Sequence, residues 1–256
     1  MRTIRLTLAY DGTEFAGWQR QGQRRTVQAT LEATLEKITG QRTAVLASGR
    51  TDAGVHALGQ VASFETDSRL PPKVILRALN AELPEDIVVF DAAEVRAGFH
   101  PTHHALRKRY RYVIYDGPVR NVFQRRYCWH FTYGRLDAEA MRRAGAALIG
   151  THDFSSFETS GSPRKTSIRT VFDLSVQRGR AGEQGRGVDQ DFVTVEVEAN
   201  GFLYNMVRAI VGTLAEVGRG VQSENWVAEV LAAADRRLAG RTAPPQGLFL
   251  VHAVYE

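Results

Sequence analysis

Cysteine is almost missing from this chain: of 256 residues only Cys128 carries a thiol. A single thiol closes no internal disulfide and builds no cysteine-based zinc site. That poverty suits a reducing compartment, so the expected location is the cytoplasm. Long apolar runs are missing too, and none approaches the roughly 18 residues of a membrane span. The opening residues, MRTIRLTLAYDG, have neither the apolar stretch nor the cleavage site of a signal peptide, and alternate as a strand does. Disorder is excluded by composition, since 43% hydrophobic and 24% charged residues lie near the globular average. The length leaves room for one large domain or two small ones, either able to bury a core.

Acids are locally scarce. Net charge is only +5, but between Ala105 and Arg126 lie Arg107, Lys108, Arg109, Arg111, Arg120, Arg125 and Arg126 against Asp116 alone. From Phe15 to Leu31 there are Arg20, Arg24 and Arg25 and no acid. Such clusters suit phosphate contacts or a solvated basic face, and clustering alone does not separate the two.

Residues 2–10 place Ile4, Leu6 and Leu8 on one face of a strand. A helix is expected over 26–39, with Thr26 as its N-cap and Gly40 as its stop. Strands near 43–48 and 59–66, a proline-bounded helix at PPKVILRALNAELP and a strand at DIVVFDAAEV complete a β-α-β-β-α-β order, that of a ferredoxin-like unit. The second half follows a similar order without repeating the sequence. It has a strand at 105–116, a helix at 137–149 capped by Asp137, strands near 168–178 and 191–198, helices at 201–217 and 223–236, and a closing strand GLFLVHAVY. The expected class is therefore α+β: two ferredoxin-like halves, 1–104 and 105–256, with antiparallel sheets side by side and a central basic cleft. RGRAGEQGRGVDQD, 178–191, reads as a mobile connection whose glycines match no phosphate-binding fingerprint.

ASGRTDAGVHALG, residues 47–59, concentrates the chemistry. Asp52 before Ala-Gly can simply shape a turn. Alternatively the turn lifts its carboxylate off a strand end, with Arg50 or another cation keeping it ionised, as a nucleophile toward a sugar carbon or an electron-poor ring. His56 reads as structural. An Asp–His hydrolase would want a serine, a metal or a second carboxylate in a recognisable motif, and none is near. In LRKRYRYVIYD, alternation sets Lys108, Tyr110 and Tyr112 on one face and Arg107, Arg109 and Arg111 on the other. That interleaving favours a nucleic-acid surface over ordinary core tyrosines. In ANGFLYNMVRAIVGTLAEVG, Phe202, Met206, Ile210 and Leu214 form a core stripe. Arg208 points elsewhere, to solvent or to a buried carboxylate. His100, His103 and His104 lack a suitably spaced carboxylate or cysteine, so no metal is expected. Cys128, among aromatic strand residues, reads as a buried inert thiol.

YDGTEFAGWQRQ, ASGRTDAGVHALGQ, FHPTHHALRKRYRY, NGFLYNMVRAIVGTL and GLFLVHAVY together resemble, in this order and over nearly the whole chain, the tRNA pseudouridine synthase A family. The resemblance implies an isomerase that converts uridine to pseudouridine at tRNA positions 38, 39 and/or 40, on the 3′ side of the anticodon arm. It implies Asp52 as nucleophile, Tyr110 against the target base, Arg50 near the everted nucleotide and Arg208 paired with the aspartate. It further implies a homodimer on tRNA with no metal or organic cofactor. Asn205 stands where a histidine is frequent in this family, and the 178–191 loop is longer than usual. The other reading is a non-catalytic RNA-binding module of RRM-like architecture. It lacks the glycine-aromatic strand signature and gives GRTDAGVH no purpose.

Overall fold

Ile4, Leu6 and Leu8, the alternating residues of the N-terminus, are fully buried on strand β1 (Arg2–Tyr10) in the computed structural model. The structure describes residues 1–159, 166–179 and 189–256. Helix α1 (Val27–Thr39) starts where the Thr26 hydroxyl accepts the Ala29 N–H and stops at Gly40, whose φ of 72° suits a residue without Cβ. It buries Val27, Leu31 and Leu35. Strands β2 (Leu46–Ala47) and β3 (His56–Thr66), helix α2 (Pro72–Glu82) and strand β4 (Ile87–Val95) follow. β1 runs antiparallel to both β3 and β4, and β2 pairs antiparallel with β3.

A second unit begins with β5 (Arg107–Tyr115), the short β6 (Trp129–His130) and α3 (Ala138–Gly145), where Asp137 accepts the Ala140 N–H. β7 (Gly150–Asp153), β8 (Ile168–Arg178), β9 (Phe192–Ala199), α4 (Met206–Gly218) and α5 (Trp226–Ala233) complete it. Its strands run in the order β5-β9-β8-β7, each antiparallel to the next, with β6 parallel to β5. Met206, Ile210 and Leu214 are buried, as their spacing requires. Each unit joins a mostly antiparallel sheet to a few helices, so the chain is α+β.

The sequence and the structure part at the closing strand and at the start of α4. The compact units are Met1–Leu106 with Phe249–Glu256, and Arg107–Leu248. The closing strand β10 (Leu248–Val254) thus belongs almost wholly with the first unit, where it pairs parallel to β3 through Phe249 and Leu250. Helix α4 opens five residues later than periodicity suggests, because Asn205 at φ 60° is left-handed. An asparagine tolerates that conformation. Of the connection 178–191 expected to be mobile, 180–188 lie outside the described residues.

Candidate active site

Asp52 sits half-buried between β2 and β3, in a loop held from several sides. The Val55 N–H donates to the Asp52 carbonyl at 3.1 Å and closes the turn. Trp18 N–H donates to the Thr51 carbonyl at 2.9 Å, and Gly54 N–H to that of Phe15 at 3.4 Å. The clamping segment is itself fixed by α1. The Val27 and Gln28 N–H groups, orphaned at the start of that helix, donate to the Gly17 and Trp18 carbonyls at 3.2 and 3.0 Å. A helix end thus orients the segment that grips the aspartate's loop. Arg50, in the same loop, is exposed and makes no side-chain ion pair among the described residues.

Polar side chains underlie this loop. The Tyr10 and Thr51 hydroxyls are 2.7 Å apart, and Gln60 Nε2 donates to Tyr10 Oη at 3.4 Å and to the Gly49 carbonyl at 2.8 Å. Ser48 Oγ donates to Gln60 Oε1 at 2.6 Å. Ser48, Thr51, Tyr10 and Gln60 are all buried. Burial pushes the Tyr10 phenol up to about 12, against the pull of its bonds to Thr51 and Gln60. His56 is buried as well. Its Nδ1 lies 3.0 Å from the Gly12 nitrogen and 3.1 Å from Asp11 Oδ1, and its ring stacks on Phe249 at 4.7 Å. These contacts make it a strut of the first unit.

Tyr110 and Arg208 belong to the second unit. Tyr110 is buried on β5, edge-on to Phe202 at 4.9 Å between ring centroids. Arg208, half-buried in the first turn of α4, donates from Nη1 to Asn205 Oδ1 and from Nε to the Ala243 carbonyl, both at 2.7 Å. Asn205 Nδ2 in turn donates to Thr159 Oγ1 at 3.1 Å. The left-handed residue that delays α4 therefore also braces Arg208. Cys128 is buried, its thiol 3.1 Å from the Gln124 carbonyl. His100 Nδ1 accepts the Thr102 and His103 N–H groups, and His104 Nδ1 accepts that of His100.

Residues 7–102 and 144–256 match the family model for tRNA pseudouridine synthase. Over 255 residues, the whole of both chains, the sequence is 46% identical to the tRNA pseudouridine synthase A of Thermoanaerobacter sp. (strain X514). It is 44% identical to that of Acetivibrio thermocellus, again over both whole chains. With that of Myxococcus xanthus it shares 44% identity over all of this chain and 92% of the other. The chain belongs to the tRNA pseudouridine synthase family.

The row of guanidiniums expected to face nucleic acid serves another purpose in this member of the tRNA pseudouridine synthase family. Arg109 pairs with Asp173, Glu196 and Glu198 at 2.9, 3.1 and 3.3 Å. Arg111 pairs with Glu196 at 2.7 Å and Arg107 with Glu198 at 3.6 Å. Register explains it, since Arg109 lies opposite Glu198 and Arg111 opposite Glu196 on β9. Burial works to raise the Glu196 carboxyl, but hydrogen bonds from Arg111 and Arg109 outweigh it and hold the group below its ordinary value. The alternate face, Lys108, Tyr110, Tyr112 and Ile114, is buried rather than presented to solvent. The alternating glutamates of FVTVEVEA were the signal for this neutralised face. In the other cluster, Arg20 pairs with Glu32, and Arg25 with Asp86 while lying 4.0 Å over the Phe15 ring. Arg24 and Arg120 are exposed and make no side-chain ion pair among the described residues.

Proposed function

We propose that this chain isomerises uridine to pseudouridine in the tRNA anticodon stem-loop, at positions 38, 39 and/or 40, with Asp52 as the nucleophile. The observation that carries the reading is identity of 46% along the entire chain to a tRNA pseudouridine synthase A, with GRTDAGVH falling on the clamped loop described above. The reaction breaks the N1–C1′ bond and forms C5–C1′ in its place. C5 loses a proton and N1 gains one, so no oxidant or reductant is consumed. One carboxylate suffices, because no water has to be activated as in glycoside hydrolysis. The uridine must leave its stack to be reached. In this reading Tyr110 lies against the everted base and assists proton transfer, Arg50 holds the flipped nucleotide, and Arg208 serves the aspartate. The strand order β4-β1-β3 with β2 on β3 supports a ferredoxin-like first half, and the reading adds a matching second half, a basic cleft for tRNA and a cytoplasmic homodimer. Among the described residues no helix is long and apolar enough to cross a membrane.

The test is incubation with an unmodified tRNA transcript followed by mapping of pseudouridine. Product is expected at positions 38–40 with this protein and nowhere with Asp52→Ala. Product at other positions, or from the variant at the normal rate, overturns the reading.

Two further outcomes are expected. Tyr110→Phe should lower the single-turnover rate at least ~10-fold while tRNA affinity changes less. Equal losses in rate and affinity would make Tyr110 a docking residue. Reversing the charge of Arg24, Arg120 and Arg125 together should weaken tRNA binding ~10-fold or more at moderate salt and flatten its salt dependence. Arg109→Gln, which alters a cation already paired with three carboxylates, should leave the salt slope unchanged. Binding that ignores ionic strength in every variant would remove the phosphate role.

A further inference from the structure

Gln60 lies in the middle of the first unit's sheet, fully buried on β3 opposite Leu8 of β1. A primary amide there needs partners, and all those identified lead to the loop that carries Asp52. Its oxygen accepts the Ser48 hydroxyl at 2.6 Å. Its nitrogen donates to the Gly49 carbonyl at 2.8 Å and to Tyr10 Oη at 3.4 Å, and Tyr10 Oη meets Thr51 Oγ1 at 2.7 Å. One side chain thus reaches Ser48, Gly49 and Thr51, directly or through Tyr10. We infer that Gln60 is a positioning residue for Asp52. This rests on the reading of Asp52 as the attacking group.

The chemistry selects an amide. The Ser48 hydroxyl needs an acceptor and the Gly49 carbonyl needs a donor, and glutamine offers both from one end. Glutamate, as a carboxylate, keeps the acceptor but turns a lone pair toward the Gly49 carbonyl and puts a charge at a fully buried position. Leucine fills similar space but removes both the acceptor of the Ser48 hydroxyl and the donor to the Gly49 carbonyl. In either case the loop relaxes, and a displacement of about 1 Å at a reacting group is enough to cost ~100-fold in rate.

The experiment compares Gln60→Leu, Gln60→Glu and Tyr10→Phe with Asn80→Leu. The last cuts a similar pair of bonds in the same unit, from the Asn80 amide to the Val89 N–H and carbonyl at 2.8 Å each, away from the aspartate's loop. Single-turnover rate, tRNA Kd and Tm are measured on the full-length protein with an unmodified tRNA transcript. The two Gln60 variants are expected to lose ~10- to 100-fold in rate with Kd within about twofold. Tyr10→Phe, which removes one hydroxyl and keeps the ring, is expected to show the same split at about 3- to 10-fold, and it decides the matter if the Gln60 variants do not fold. Asn80→Leu is expected to lower Tm and keep its rate. The inference is overturned if the folded variants keep the normal rate, if weakened Kd accounts for the loss, or if Asn80→Leu loses rate equally for an equal fall in Tm. If Asp52→Ala is inactive while the Gln60 and Tyr10 variants are fully active, only this inference falls. Product from Asp52→Ala removes the reading beneath it.

Discussion

Asp52→Asn is expected to lower the single-turnover rate of pseudouridine formation at least ~10⁴-fold, the scale seen when an enzyme loses its attacking group. Affinity for tRNA should stay within about threefold. Asparagine has nearly the same shape, and three bonds that fix the loop on either side of it are made by main-chain atoms: Trp18 N–H to the Thr51 carbonyl, Gly54 N–H to that of Phe15, Val55 N–H to that of Asp52. An amide at position 52 leaves all of them in place. It removes the negative charge, and an amide oxygen is a far weaker nucleophile than a carboxylate. The variant also separates the two readings of an aspartate before Ala-Gly. A residue that only shapes a turn is well replaced by asparagine, which favours the same turns for the same reason. Near-normal rate with unchanged Tm would therefore reduce Asp52 to a turn residue. Loss of rate and of tRNA affinity in equal measure would move its role from chemistry to binding.

What could be read from sequence here follows the range of the forces involved. Thr26, Gly40 and Asp137 act on the backbone within a few residues, and all three cap helices as their sequence neighbourhood indicates. The candidate aspartate was legible for the same reason, since its motif is contiguous. Partners distant in sequence were not. The arginines of β5 look like an open basic row until β9 arrives opposite them about 85 residues later. The late start of α4 depends on one left-handed residue, Asn205, whose side chain bonds Arg208 and Thr159. Gln60 passes for an ordinary polar residue of GQVASF until folding lays the 48–51 backbone over it. Trp18 and Tyr10 likewise become parts of the aspartate's support only in three dimensions.

Gly12→Ala is expected to be the most damaging substitution of a single hydrogen by a methyl group in the first unit's loop assembly. A Cβ at position 12 would stand 2.0 Å from the Val55 carbonyl oxygen and 2.6 Å from its carbon. Both are main-chain atoms, so no rotamer relieves the contact. Val55 is buried, and its N–H is committed to the Asp52 carbonyl. Moving it away therefore moves the turn that carries the aspartate. Gly12 cannot retreat easily either, because its own nitrogen sits 3.0 Å from His56 Nδ1. Overpacking of this kind costs about 3 kcal/mol or more. For a chain of this size that corresponds to a fall in Tm of roughly 6–12 °C, with rate reduced ~100-fold by the displaced turn. Gly40→Ala is the comparison. Its Cβ would meet nothing within 4 Å, and only its φ of +72° is strained, so about 1 kcal/mol and a normal rate are expected. Differential scanning calorimetry and single-turnover assays on the two variants decide the point. If Gly12→Ala melts no lower than Gly40→Ala and retains full rate, the 11–13 segment does not press on Val55, and the tight packing that this account gives the aspartate's loop is wrong.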